Sequence, residues 1–326
     1  MGSPFTQSGW VLERQDRPHG NFEAMFACPV TPDLVLHGLT HVWWDNGGLS
    51  DPTASPRGLW NTAETIRSDA LPGPWLGAAL ILSNYGNLEA VVAHHDGELA
   101  HFALVGIWGW QGPIPLPGPA AGPPAFIQSR FGGRGNFEVI VPRPGGGLSH
   151  FFRDNDHGEI WHEAPQPSSS GNWSGVGLIH SNFGNLELVG VMDGNLVFIW
   201  QNGSGGRWSA PQVIARRFRG RPAFIQSSYG AQGNFEVVGA PDGTRAIGLA
   251  HFWRNNDSPN FPWSGPFSFG SDGNRIYEDV AMFQSSFGHL EVYARGFREN
   301  SVSWFRAAPA APWVEPLSAE LVMECT

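Results

Sequence analysis

The chain has 326 residues, 41% of them hydrophobic, with 29 Asp and Glu against 19 Lys and Arg and a formal charge of −10. This excess of negative charge repels phosphate backbones and anionic lipid heads and excludes nucleic acid as an expected partner. Nor does any run approach the roughly 18 to 20 apolar residues of a bilayer span, so no membrane insertion is expected.

With 43 Gly and 27 Pro beside 15 Trp and 22 Phe, the composition predicts many short strands joined by tight turns around an aromatic core. In chain order, the first unit begins near Gly9 and carries GNFE at Gly20. Cys28 stands in this unit and Cys325 next to the last residue, so a ring would bring them together, either as a closing disulfide or as two thiols. The interval Asp51 to Trp75 is wide, and within it Asn61 to Ala70 has helical periodicity. The motif returns as GNLE at Gly86, followed by the hairpin-turn cluster His94-His95-Asp96, whose neighbouring residues are expected to face opposite ways. It recurs as GNFE at Gly135, GNLE at Gly184, GNFE at Gly233 and GHLE at Gly288, in steps of 66, 49, 49, 49 and 55 residues. A period near 50 in β-rich units marks propeller blades.

Each unit repeats one order. In the third, Pro124 to Ser129 reads as strand one, Phe137 to Val141 as an alternating strand two, and Leu148 to Arg153 as strand three, with Leu249 to Arg254 its counterpart in the fifth unit. A fourth strand opens at a tryptophan: Trp161 or Trp173, Trp208, Trp263, Trp313. The prediction is an all-β chain, a single six-bladed β-propeller of four-stranded antiparallel blades over 1–326, with repeats near 9–75, 76–122, 123–174, 175–220, 221–276 and 277–326. Closure is expected to rest on blade-to-blade packing, with Ala319 to Glu324 a candidate extra strand.

The repeat holds one glutamate throughout: Glu23, Glu89, Glu138, Glu187, Glu236 and Glu291. Six equivalent acids do not suit catalysis. Folding each hairpin about its turn sets Glu138 opposite His150 and Glu236 opposite His251, and brings Glu23 near His41 and Glu89 near His101, as internal staples that spare a buried carboxylate the cost of isolation. In the fourth and sixth units Phe198 and Ser303 replace the histidine, while His180 and His289 appear elsewhere, either as relocated partners or as parts of a site. Neither HExxH nor a Cys/His set nor a serine elbow occurs, so no metal and no cofactor is expected.

Arg153, Arg254 and Arg306 end the third strand of their units, each beside an aromatic residue. They can stack on a neighbouring ring or bind sugar hydroxyls, since saccharide sites combine hydrogen-bonding charge with an aromatic face. Six such units over nearly the whole chain resemble the fungal fucose-specific lectins. The resemblance implies sugar sites between adjacent blades built from Arg, Glu and Trp or Tyr, with Arg153, Arg254 and Arg306 and Glu138, Glu236 and Glu291 as equivalents; repeat two carries Leu104 or Val105, and repeat four Gln201, at the arginine position.

A rival expectation is a cofactor-independent small-molecule enzyme, a cyclase or pericyclase, with one pocket at the central channel formed by His180, His289, Arg130 and Trp75. A third is an interaction platform with an exposed apolar face. Loops that break the repeat, including the basic Arg216 to Arg221 and Asp242 to Arg245, are further places for a ligand. The expected partner is a glycan or a small molecule. Asn172, Asn202 and Asn256 begin Asn-x-Ser sequons, and the start of the chain lacks the pattern of a signal peptide, which leaves a secreted mature form or a cytoplasmic protein.

Overall fold

In the computed structural model, residues 5–7, 21–27, 39–44, 60–66, 74–106, 109–243, 247–271, 275–296 and 301–315 are described. Cys28, Cys325, Arg245 and the segment Ala319 to Glu324 lie outside them. Blade 1 holds β1 (Phe5–Gln7), β2 (Phe22–Ala27), β3 (Leu39–Trp44) and β4 (Trp60–Ile66). Blade 2 holds β5 (Trp75–Leu82), β6 (Leu88–His94), β7 (Leu99–Leu104) and β8 (Trp110–Pro115). Blade 3 holds β9 (Ala125–Gln128), β10 (Phe137–Pro142), β11 (Leu148–Arg153) and β12 (Trp161–Ser168). Blade 4 holds β13 (Trp173–His180), β14 (Leu186–Met192), β15 (Asn195–Gln201) and β16 (Gln212–Arg216). Blade 5 holds β17 (Phe218–Gln226), β18 (Phe235–Pro241), β19 (Leu249–Arg254) and β20 (Trp263–Phe269). Blade 6 holds β21 (Tyr277–Gln284), β22 (Leu290–Gly296) and β23 (Ser301–Arg306), and a bridge from Phe305 to Val314 takes the fourth place. Every blade is an antiparallel meander in chain order.

The first strands of blades 5 and 6 meet in a parallel bridge, Arg221 to Asp279, which puts first strands at the axis. Fourth strands lie outermost, and β8, β12 and β20 are largely exposed. Second strands are buried on both faces: every residue of β6 and of β10 is buried. The sequence predicts alternation there, but a blade has a neighbour on each side, so both faces of its middle strands are interior. The core is correspondingly divided into six layers, one between each pair of adjacent blades. The layer joining blade 6 to blade 1 contains Phe22, Val42, Phe283 and Tyr293, with Phe22 and Phe283 edge to face at 4.9 Å. Such a pair adds about 1 kcal/mol beyond its buried area. The ring therefore closes by packing.

Three local expectations are corrected. Asn61 to Ile66, the described part of the segment Asn61 to Ala70, is not helical, because Trp60–Ile66 pairs along β3 and the ladder hydrogen bonds override local helical periodicity; residues 67–70 lie outside the described residues. Trp161 opens a fourth strand, whereas Trp173 opens the first strand of the next blade, and Trp208 precedes its strand in an isolated bridge to Gln201. Blade 1 begins at Phe5, ahead of Gly9.

Candidate functional site

The repeated glutamate is the second residue of each second strand, and its two oxygens are used differently. Oε1 accepts from a serine at the end of the first strand: Ser83 to Glu89 at 3.3 Å, Ser129 to Glu138 at 3.0 Å, and Ser181 to Glu187, Ser227 to Glu236 and Ser285 to Glu291 at 3.1 Å. Oε2 accepts from histidine Nε2 in four blades: His41 to Glu23 and His251 to Glu236 at 2.8 Å, His101 to Glu89 and His150 to Glu138 at 2.9 Å. The staples exist, but their register is diagonal. Glu138 faces Phe152 while His150 faces Ile140, two residues along, a separation that long side chains span. The serine was recoverable from sequence, since Ser83, Ser129, Ser181, Ser227 and Ser285 hold one position in their repeats.

Each histidine also touches the following blade. His41 meets Trp110 at 5.5 Å, His101 meets Trp161 and His150 meets Trp208 at 5.8 Å, and His251 meets Trp313 at 5.4 Å, all edge to face. Ser, Glu, His and Trp thus form a chain across interfaces 2/3, 3/4 and 5/6, and Glu, His and Trp across interface 1/2. Burial holds the His101 imidazole below its usual range.

The register places Phe198 opposite Val189 and Ser303 opposite Tyr293, the histidine positions of blades 4 and 6. Phe198 keeps the contact with the next tryptophan, Trp263 at 5.8 Å, but gives Glu187 no hydrogen bond. Burial pushes Glu187 up to about 7, opposed by the Arg254 charge and by hydrogen bonds from Ser181 and Asn185. Burial likewise pushes Glu291 up to about 7, opposed by Ser285.

His180 is not Glu187's partner. Its Nδ1 accepts the backbone N–H of Arg130 at 2.6 Å, a latch between blades 3 and 4. Gln128, Gln226 and Gln284 make the same latch at other interfaces, accepting from Asn84 and Asn182 at 2.7 Å and from Ser228 at 2.6 Å. His180 is held below its usual range by burial and then by the Arg130 charge. Arg130 itself donates through its guanidinium to the Ser181 carbonyl and, at 3.5 Å, to Asn182 Oδ1. His289 stands 4.0 Å from Glu291 Oε1 with its ring stacked on Phe305. Trp75 lies at the far end of its hairpin, paired with His94 in register and edge to face with it at 5.3 Å. Of the four residues considered for a single pocket, His180 and Arg130 meet; His289 is in another blade and Trp75 at the other end of the strands. His94 and His95 also depart from expectation, for their rings touch at 4.4 Å because the turn rotates His95 back, and His94 Nδ1 lies 2.6 Å from Asp96 Oδ1.

The channel is crossed by a residue of the basic run Arg216 to Arg221, which is not a loop as expected but the end of β16 and the start of β17, with Arg217 at a left-handed φ of 63° between them. Arg221, fully buried on β17, donates from Nη1 to the carbonyls of Ala78 in blade 2 at 3.0 Å and Pro124, beside β9, at 3.4 Å. Blades 5 and 2 face each other across a six-membered ring, so this side chain is a spoke. Gly175 makes room for it: a Cβ there would sit 2.6 Å from the Arg221 Cβ.

Arg153, Arg254 and Arg306 lie at interfaces 2/3, 4/5 and 5/6, and each meets the carboxyl system of the preceding blade, not the glutamate of its own repeat. Arg153 feels Glu89, Arg254 feels Glu187, and Arg306 Nη1 donates to Nδ1 of His251 at 3.1 Å, which in turn donates to Glu236. Glu138 and Glu291 face blades that carry Gln201 and Trp44 at the arginine position. Arg153 lies 4.2 Å over Phe137 and Arg254 3.9 Å over Phe235. Their Nε atoms donate to Asn155 and Asn256 at 2.7 Å, which donate on to the carbonyls of Gly135 and Gly233 at 2.6 Å. Asn256 is accordingly buried and unsuited to glycosylation. Glu89, Glu187 and Glu236 are 2 to 3% exposed, deeper than Arg153 at 6% and Arg254 at 8%. Among the described residues no three His, Cys, Asp or Glu side chains gather as a metal site, and no helix is long and apolar enough to cross a membrane.

No protein-family model and no curated protein sequence matches the chain. Solved structures do. The BP39L lectin of Burkholderia pseudomallei superposes with a TM-score of 0.67 at 18% identity, over 91% of this chain and 80% of that one. A point mutant of the Aleuria aurantia lectin, in complex with α-methyl-L-fucoside, superposes with a TM-score of 0.66 at 14% identity, over 96% and 94%. The NanB sialidase of Streptococcus pneumoniae superposes with a TM-score of 0.60 at 10% identity, over 90% and 68%. The chain is a six-bladed β-propeller, sharing its fold with propeller lectins such as that of Aleuria aurantia.

Proposed function

We propose that this chain is a multivalent carbohydrate-binding protein whose sites lie at the interfaces between blades 2 and 3, 4 and 5, and 5 and 6. The observation that carries the reading is the recurrence of one arrangement: an arginine at the end of a third strand, set against the preceding blade's Glu or Glu–His pair, with aromatic rings over the guanidinium of Arg153 and of Arg254. A guanidinium fork donates to adjacent hydroxyls, while an aromatic face packs on the apolar side of a sugar ring. Support also comes from neighbours of the same fold, among them the Aleuria aurantia lectin in complex with Fucα1-6GlcNAc and with α-methyl-L-fucoside.

The test is a glycan array followed by calorimetry with the best neutral glycoside. The expected result is more than one ligand per chain, with a site lost in Arg306→Ala. An array on which no glycan is retained, or a stoichiometry that survives substitution of all three arginines, would overturn the reading.

A further inference from the structure

The interface between blades 4 and 5 differs from the other two in its charge. At interface 2/3, Arg153 Nη1 lies 4.0 Å from Glu159 Oε2, and Arg134 holds the other oxygen of Glu159 at 3.3 Å while lying 4.8 Å over Tyr85. At interface 5/6, Arg306 spends Nε on the Ala308 carbonyl at 3.1 Å and Nη1 on His251. Interface 4/5 replaces every charged member of this surround, and its tyrosine, with an uncharged residue, two from blade 5 and one from blade 4. Phe261, with a left-handed φ of 45°, takes the position of Glu159, whose φ is 54°; Gln232 stands for Arg134; and Phe183 stands for Tyr85.

Arg254 is consequently enclosed by rings, with Phe235 at 3.9 Å, Phe261 at 5.0 Å and Phe198 at 5.1 Å, and is only 8% exposed. Among the described residues no salt bridge reaches it, and the one acid acting on it is Glu187. Phe261 and one further ring, Phe183, form an open rim at 43% and 37% exposure, 5.8 Å apart. A cation removed from water without a close counter-ion is a costly arrangement that an arriving anion relieves.

We propose that this interface is an acidic-sugar site, in which Arg254 takes the carboxylate of a uronic- or sialic-type residue and the Phe183–Phe261 rim packs on its apolar face. The proposal rests on the glycan-binding reading and assigns this interface a ligand class different from that of interface 5/6. Glu187 is more deeply buried than Arg254 and tunes it. The groups facing Glu187 are Ser181 and Asn185 from its own blade, the uncharged Phe198 and Trp200 of β15, and Arg254 from blade 5. Burial holds Arg254 down to about 10 and Glu187 up to about 7, so Glu187 is neutral in mild acid and charged above neutrality. A bound carboxylate raises Glu187 further, and by linkage a rise of about one pH unit in its titration makes binding up to tenfold tighter at low pH than at high pH.

Calorimetry with methyl β-D-glucuronide, a methyl α-sialoside and methyl α-L-fucoside at about pH 5.5, 7 and 8.5 tests this. At least one acidic probe is expected to bind several-fold tighter at the lowest pH than at the highest. Glu187→Gln is expected to flatten that profile and Arg254→Gln to abolish acidic-probe binding, with thermal melting as the folding control. Phe261→Ser, at an exposed position, is a second variant that should weaken the acidic probes and not the fucoside. If the fucoside binds through Arg306 while neither acidic probe binds, or if acidic-probe binding survives Arg254→Gln, the acidic site is refuted and the glycan-binding reading stands. If no probe and no array glycan binds, both fall.

Discussion

Raising the pH from about 5 to 8 should destabilise this protein through two carboxyls. Glu187 and Glu291 belong to the blades in which Phe198 and Ser303 replace the stapling histidine, and burial pushes both from 4.5 up to about 7. A carboxyl raised on folding keeps, in the native state, a proton that the unfolded chain has already released. Between roughly 4.5 and 7 the native state therefore binds more protons, and stability falls as pH rises through that window. At about 1.4 kcal/mol for each pH unit of that window, each carboxyl accounts for a loss of about 3 kcal/mol, complete slightly above pH 7. Guanidinium unfolding of the wild type, Glu187→Gln and Phe198→His at stepped pH measures it. Gln has the same shape and no charge, so the difference between wild type and variant isolates Glu187 from opposing groups such as His101, whose lowered titration makes stability rise with pH. Phe198→His supplies the partner that other blades hold at 2.8 to 2.9 Å and should reduce the slope in the same way. A Glu187→Gln variant that loses stability as steeply as the wild type between pH 5 and 8 would refute the reasoning.

Two further outcomes concern the axis and the latch. Arg221→Met leaves the Ala78 and Pro124 carbonyls without their donor and should cost about 2 to 4 kcal/mol, read as a lower denaturation midpoint; a variant as stable as the wild type would show that the spoke is not structural. His180→Gln restores the residue used by three other latches and should lie within about 0.5 kcal/mol of the wild type at neutral pH. Because burial and Arg130 hold His180 below its usual range, the unfolded wild type takes up a proton first as pH falls through 6.5, so the wild type should lose stability in acid relative to the variant; equal acid sensitivity would contradict the latch.

The propeller was legible in the sequence because its unit is local. Four strands joined by short turns leave a period, and six copies of GN[FL]E or GHLE count the blades. The Glu–His staples were legible for the same reason, being hairpin neighbours 12 to 18 residues apart, although counting about the turn missed their diagonal offset. Asn61 to Ile66 misled because local propensity knows nothing of the neighbouring strand, and β3 supplies one.

The site is of the other kind. That Arg254 belongs with Glu187 of the preceding repeat, that His101 meets Trp161, and that His180 latches Arg130 all depend on how one blade is rotated and stacked on the next. Arg221 shows the limit most clearly, since its carbonyl partners lie 143 and 97 residues away and become neighbours only when the ring closes. Sequence by itself determined the repeating blade, because hydrogen bonding and hydrophobic pattern within a blade are short-range. Tertiary structure alone decided which repeats' side chains share an interface, because those contacts are set by the packing of six separate core layers around one axis.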